Sequence, residues 1–328
     1  MTMPSEESIG LLRAFLLNGE GGGAALGWEQ VREWTPQDGS LWVHLDTEDD
    51  TAEAWLRERS GLDGVVCDAL LANETRPQSR TIGDGLLVIL RGVNLNPGAD
   101  PKDMVSLRLW GDSTRMVSLS RRRLMAVSEL AEEVGKGVGP KNSADLLTVL
   151  AGHLLEHMAP ALEDLGDAVD AQEEKAVTES PSELQADLAG LRRQVISLRR
   201  HLAPQREAMV QLAQCTASQF DEDHRAVLQH LADHVVRYVE DLDELRDRTA
   251  VTHDLLAGRQ ADSMNRRMLM LSLVAAIFLP LGLITGLLGI NVGGIPGAAN
   301  EWAFLVVCAL IVLLAGLQLF IMRKMKWF

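Results

Sequence analysis

MLMLSLVAAIFLPLGLITGLLGIN, residues 268–291, decides how this chain is read. From Met268 to Ile290 it carries no charged side chain, and it closes on Gly289-Ile290-Asn291. A second uncharged run extends from Trp302 to Met322. Each is long enough to cross a hydrocarbon core of about 30 Å, which takes about 20 helical residues. The sequence therefore predicts two membrane spans, about 268–290 and 302–322, joined by a short loop at 291–301. The larger part of the chain precedes them.

Basic residues orient the spans. Arg266 and Arg267 precede the first, and Arg323, Lys324 and Lys326 follow the second. The loop NVGGIPGAANE has neither Lys nor Arg and a single acid, Glu301. The positive-inside rule then puts both chain ends in the cytoplasm and the loop outside; the expected setting, which this rule does not itself show, is a bacterial inner membrane with the loop in the periplasm. Trp302 and Trp327 fall where interfacial aromatics anchor spans. The first residues, MTMPSEESIG, have no basic or apolar leader, so the soluble part is expected in the cytosol. Three scattered cysteines, Cys67, Cys215 and Cys308, argue against a disulfide framework and a thiolate zinc site. A formal charge of −15 disfavours nucleic acid and favours cations as partners.

Three regions follow. Residues 1–140 read as an α+β cytosolic domain, a mixed sheet flanked by helices. Short apolar runs with turn residues at their flanks predict strands at 11–17, 41–45, 86–93, 105–110 and 116–119, with helices at 51–59 and 122–133. The glycine runs GEGGG at 19–23 and GKGVG at 135–139 lack the GK[ST] ending of a phosphate loop and read as linkers. Residues 141–265 read as a stalk of long coiled-coil-like helices, and 266–328 as the two-span unit.

The stalk is defined by heptad spacing. Leu184, Leu188, Leu191, Val195, Leu198, Leu202, Met209 and Leu212 recur in steps of four and three, with Gln205 in the open slot. Val227, Leu231, Val235, Tyr238, Leu242, Leu245, Thr249, Thr252 and Leu256 form a second seam. Pro181 suits a helix start. Between Asp221 and Arg267 no helix breaker but Gly258 occurs, which predicts that the last stalk helix continues into the first span, one helix from Asp221 to Ile290 roughly 100 Å long.

Stalk acids are dense, and both a solvated face and divalent-cation binding suit them. His224, His230, Asp233 and His234 form the best mixed cluster, because carboxylate with imidazole suits Zn²⁺ and His230 and His234 lie one turn apart. His153-Leu-Leu-Glu156-His157 matches the H-x-x-E-H metalloprotease pattern, but it sits in a long amphipathic helix and no third-ligand motif accompanies it. No catalytic constellation is present elsewhere, so an enzyme is not expected.

At helical spacing Asn265, Met268, Leu271 or Ser272, Ala275, Leu279, Gly282, Gly286 and Asn291 share one face of the first span. It is small or polar in places, and small residues let helices approach. Pro280 frees a carbonyl. A glycine turn ending in Asn at the mouth of such a helix suits a cation-pore entrance, where a ring of amides from several copies can accept a hydrated divalent ion. Met268, Leu271 and Leu279 suit a hydrophobic constriction. The competing reading is ordinary packing in a dimeric, membrane-anchored coiled-coil adaptor.

These features together resemble the CorA family of divalent-cation transporters over nearly the whole chain. The first span ends in Gly-Ile-Asn, where the family signature is Gly-Met-Asn. Asn265 to Asn291 follows the family's pore helix without a gap, and Trp42-Val-His44-Leu-Asp46 and Glu74-Thr-Arg76-Pro77 look like its cytosolic features. Gly-Ile-Asn followed by Val-Gly-Gly-Ile-Pro-Gly, and Leu198-Arg-Arg-His-Leu-Ala-Pro204-Gln-Arg, are similar to the zinc-transporting ZntB branch. The acidic Met-Pro-Glu-Leu loop of the magnesium branch is absent. The resemblance implies a homopentameric funnel with the first span lining the pore and the second facing lipid. It implies proton-linked uptake of Zn²⁺, tolerance of Cd²⁺ or Ni²⁺, an outer selectivity ring of Gly289, Ile290 and Asn291, and no resident cofactor. The residue chemistry by itself leaves a magnesium or broad divalent channel open, because the expected pore offers no Cys, His or carboxylate to zinc.

Overall fold

The structure is a computed structural model that describes residues 10–99, 103–179, 181–289 and 301–324. It divides into two compact units, Met1–His253 and Asp254–Phe328.

The first unit is built on β1 (Leu11–Leu17), β2 (Gly23–Ala25), α1 (Trp28–Glu33), β3 (Ser40–Asp46), α2 (Asp50–Glu58), α3 (Gly64–Leu71), β4 (Gln78–Ile82), β5 (Gly85–Gly92), β6 (Val105–Gly111), β7 (Arg115–Ser120), α4 (Met125–Lys136), α5 (Ser143–Glu156), α6 (Met158–Thr178) and α7 (Pro181–Ala213). It also takes the first part of α8 (Glu222–Leu288), and α9 (Ala303–Lys324) lies in the second unit. The strands form one mixed sheet in the order β2-β1-β3-β7-β6-β5-β4. Among the described residues only β3 and β7 pair in parallel.

Both faces of the sheet are covered, which is why β5 reads as a continuous apolar run rather than an alternating one. Leu41, Val43, Leu45, Leu87, Val117 and Leu119 point to one side, against Trp28, Trp55, Leu56, Val66 and Leu70 of α1 to α3. Trp42, Leu86, Val88, Leu90, Leu107, Leu109 and Met116 point to the other, into a core shared with α4 to α8. The change at residue 140 is thus a change of secondary structure and not a break in packing.

Helix ends follow local chemistry. The Asp49 carboxylate accepts from the N–H groups of Thr51 and Ala52 at 2.8 and 3.1 Å and starts α2. Asn142 accepts from Asp145 N–H at 2.9 Å and starts α5. The helix expected at 122–133 is displaced to α4 because Leu124 is its extended N-cap and Gly137, at φ +81°, is its left-handed C-cap.

The two glycine runs are not linkers. The first turns β1 into β2, the second ends α4, and they meet: Gly21 C=O accepts from Gly139 N–H at 2.6 Å. A Cβ on Gly21 would lie 2.9 Å from the Gly139 carbonyl oxygen, so backbone approach, not phosphate binding, requires glycine here.

The H-x-x-E-H motif is likewise structural. His153 Nε2 lies 3.4 Å from Glu133 and His157 Nε2 lies 2.8 Å from Glu129, so two residues four apart on α5 and its end meet two residues four apart on α4. The chain breaks between α5 and α6 at His157, where one continuous helix was expected.

The first stalk seam is buried as its spacing predicts, from Leu184 through Val195, Leu202 and Met209 to Leu212. Gln205, fully buried, accepts from the Arg91 N–H at 2.7 Å and donates to the Arg91 C=O at 3.1 Å. The second seam is corrected at its start. Val227 is exposed and Leu231 only half-buried, while Leu228 and Ala232 are buried with Val235, Val239 and Leu242. A 3.5-residue seam drifts around a 3.6-residue helix, and the small Ala232 hid the true stripe.

His44, in the expected Trp-Val-His-Leu-Asp stretch of β3, is a satisfied core residue. Ser118 Oγ donates to the Val43 carbonyl at 3.1 Å, so His44 Nδ1–H donates to Ser118 at 2.9 Å, and Nε2 lies 3.2 Å from Ser120 Oγ, whose hydroxyl also faces the Arg122 carbonyl at 2.9 Å. Burial, reinforced by the Arg13 charge, lowers its pKa to about 3, so it is neutral.

Candidate cation pathway

The second unit holds two helices long and apolar enough to cross a membrane, the C-terminal part of α8 and α9. Neither span carries an acidic, basic or histidine side chain. They pack along matching stripes. On α8 the buried or half-buried positions are Leu273, Ala276, Ile277, Leu281 and Ile284; on α9 they are Ala303, Val307, Ile311, Leu314, Ala315, Gln318 and Met322.

Pro280 leaves the helix unbroken but cannot donate to the carbonyl four residues back, that of Ala276. Gln318 Nε2 of α9 donates to that carbonyl at 3.4 Å. The one intramembrane amide is thus placed where proline creates an unmet acceptor. Thr285 Oγ donates back to the Leu281 and Gly282 carbonyls at 3.0 and 3.1 Å, so its hydroxyl is also spent on the helix itself.

Asn265, Met268, Leu271, Ser272, Ala275, Leu279, Gly282 and Gly286 are all exposed in the single chain. At 100° per residue they centre on the side of α8 opposite the Leu273–Ile277–Ile284 line that meets α9. A Cβ added at Gly282 or Gly286 would meet nothing within 4 Å. The bulkier Val274 and Phe278 are exposed on the flank. The helix proper ends at Leu288, and Gly289 N–H still donates to Thr285 C=O at 2.9 Å. Ile290, Asn291, the loop through Asn300, Lys326 and Trp327 lie outside the described residues.

The candidate metal ligands of the stalk are in three separate settings. His224 is clamped between Asp145 at 2.6 Å and Asp221 at 2.5 Å. Burial lowers its pKa, but hydrogen bonds to the two carboxylates outweigh that, and the net shift is upward. Asp233 accepts from Gln229 at 2.9 Å. Only His230 and His234 come together, with Nε2 atoms 3.0 Å apart. The four-residue cluster is not formed in one chain, and among the described residues no group of three or more His, Cys, Asp or Glu side chains is arranged to hold a metal ion. Several stalk acids are taken by arginines: Asp243 by Arg199 at 2.5 Å, and Asp170 and Glu173 by Arg248. Sequence reasoning missed Gln318, although a lone amide in an apolar run is a readable signal.

A family model described as CorA-like Mg2+ transporter protein matches residues 37–324. The chain belongs to the CorA family. As a member it is a membrane transporter of divalent cations and not an enzyme. CorA relatives with curated descriptions match along almost their whole length. The chain is 41% identical over 327 residues to the divalent cation transporter CmaX of Pseudomonas aeruginosa, with 98% of each chain covered. It is 34% identical over 315 residues to the zinc transport protein ZntB of Yersinia pseudotuberculosis, covering 96% of this chain and 95% of the relative. The solved structure of full-length CmaX superposes with a TM-score of 0.87 at 40% identity, over 99% of this chain and 100% of that one. The CorA magnesium transporter of Methanocaldococcus jannaschii, 19% identical, shares the fold with a TM-score of 0.80 over 96% of this chain and 98% of its own.

Proposed function

We propose that the chain transports Zn²⁺ and other divalent cations across the bacterial inner membrane as a homopentamer. The first span lines the pore, Gly289, Ile290 and Asn291 ring its outer mouth, and both termini are cytoplasmic. The observation that carries the reading is the free face of α8. It is small and polar in places, opposite the stripe that meets α9, and open along its length. One such helix cannot enclose a channel, so copies related by symmetry must share it. Met268, Leu271 and Leu279 then form apolar rings able to gate by dewetting.

No thiolate, imidazole or carboxylate stands on that face, so the ion passes with water still bound and discrimination between Zn²⁺ and Mg²⁺ is modest. That chemistry favours a second reading, a broad divalent channel, in keeping with the description of CmaX. Flux into proteoliposomes separates the two. Zn²⁺ uptake that rises with an inward proton gradient supports proton-linked zinc transport. Equal Zn²⁺ and Mg²⁺ fluxes indifferent to pH support the broad channel. Asn291→Ala should change either flux, and an unchanged rate would remove Asn291 from the pathway.

A further inference from the structure

Beneath α7, where it crosses the sheet, is a cavity of about 380 Å³. Arg91 of β5, Arg108 of β6, Arg121 and Arg122 after β7, and Arg200 of α7 line it, with Asp103 as its single carboxylate among the described residues. Five guanidiniums gathered around one acid are unexpected in a chain with a formal charge of −15.

Among the described residues the two innermost arginines have no carboxylate partner. Arg108, 5% exposed, donates through Nη1 to the Leu70 carbonyl at 2.7 Å, and its Nε has no partner. Arg91 donates to the Thr75 and Met104 carbonyls at 2.7 and 3.2 Å, and its Nε also has none. Neutral acceptors hold these side chains in place without cancelling their charge. Burial and then the Arg200 charge lower the pKa of Arg91, and burial followed by Arg91 and Arg121 lowers that of Arg108. Among the described residues neither Arg122 nor Arg200 forms an ion pair, while Arg121 meets Glu48 at 2.6 Å. His201, whose pKa is lowered by burial and then by Arg91 and Arg200, adds a neutral polar edge.

Burying unpaired charge is costly, and packing alone would be served better by apolar residues. Forked guanidinium donors around a cavity of this size match phosphate oxygens in geometry and sign. We propose that this cavity binds a small anion carrying two or more phosphate groups. Such a ligand would bridge β5 and β6 to α7 and neutralise the buried guanidiniums. The inference is independent of which cation is transported.

The test is titration calorimetry of the full-length protein in detergent with inorganic pyrophosphate in low-chloride buffer. Binding that weakens with added salt is expected. Arg200→Gln and Arg122→Gln, both exposed and without ion pairs, should each weaken it about tenfold, the usual effect of losing one charged hydrogen bond. Sulfate, with fewer charges, should bind at least about tenfold more weakly. The proposal is overturned if the assembled protein takes up no pyrophosphate at millimolar concentration, as when acids of a second copy fill the cavity. It is equally overturned if both variants bind as the parent does, or if sulfate binds as well as pyrophosphate. Cation flux in the same preparation reports on the transport reading separately.

Discussion

Replacing Gln205 by alanine should lower the melting temperature of the soluble unit by roughly 5–15 °C. The side-chain amide stands in for a missing strand. β4 begins at Gln78, opposite Ile89, and the residue before it is Pro77, which has no N–H to offer. Arg91 is two residues beyond that end of the ladder, and its N–H and C=O are met by Gln205 Oε1 at 2.7 Å and Nε2 at 3.1 Å. Removing the amide deletes two hydrogen bonds of about 1 kcal/mol each and leaves two backbone groups unmet beside α7, a total of about 2–4 kcal/mol. For a unit of this size each kcal/mol moves the midpoint by about 2–4 °C. Tryptophan fluorescence is the suitable assay, since Trp28, Trp34, Trp42, Trp55 and Trp110 all lie in this unit. Gln205→Glu keeps the acceptor for the N–H but faces the Arg91 carbonyl with a second oxygen. It should be comparably unstable at neutral pH and partly recover on acidification, when its carboxyl becomes a donor. A Gln205→Ala midpoint within about 1 °C of the parent would refute the account, because the bonds would then contribute nothing net.

His224 gives a pH test. Its pKa is raised in the folded protein, so its clamp contributes fully below the unfolded value of about 6.5 and is lost as pH rises through the folded value. Asp221, lowered chiefly by the His224 backbone N–H, acts oppositely: its contribution is present above about 3.8 and lost in acid. His224→Gln should therefore flatten the decline of melting temperature above pH 6.5, and an unchanged slope would exclude the clamp. In the membrane, Gln318→Leu should destabilise the second unit by about 0.6 kcal/mol, and at most about 1.7, but cost nothing on a Pro280→Ala background, where residue 280 can serve the Ala276 carbonyl itself. A double-mutant cycle with no coupling would show that the amide does not serve the proline.

What the sequence disclosed and what it hid follow from the range of each interaction. β5 was legible because burial on both faces makes an uninterrupted apolar run, and β1, β3, β6 and β7 because apolar residues still dominate their short runs between turn residues. β2 and β4 were not, because edge strands such as Gly23–Ala25 and Gln78–Ile82 need no apolar face. The first stalk seam was legible, Gln205 included, but its partner is 114 residues away and no local pattern announces it. His153 and His157 were rightly placed on one face, yet only folding shows that Glu133 and Glu129 wait opposite at the same interval. The arginines of the cavity are scattered from 91 to 200 and read as surface charge until the sheet and α7 bring them together. In the spans, the face of α8 turned away from α9 could be read from helical period alone, because an uncharged helix shows its contacts through the size of its residues.

The distribution of titratable groups constrains any proton dependence of transport. A proton that moves with the cation through a pore needs a group there to carry it, and the spans have neither a carboxylate nor an imidazole. If flux responds to pH, the response must arise outside the spans. Glu301, at the start of the second span, is one group so placed. The first unit offers more, and His224 stands out because, despite burial, its pKa is raised by two carboxylates that join the start of α8 to the start of α5. α8 is the helix that continues as the first span. Protonation there changes the stability of one end of this helix without placing charge in the span. On this reasoning, if the proposed pore is right, pH would act on the rate of transport and not on what each ion carries with it. A fixed proton-to-cation ratio, measured from proteoliposome currents, would contradict that, whereas a flux that changes with pH on the side bearing His224, with the response lost in His224→Gln, would agree with it.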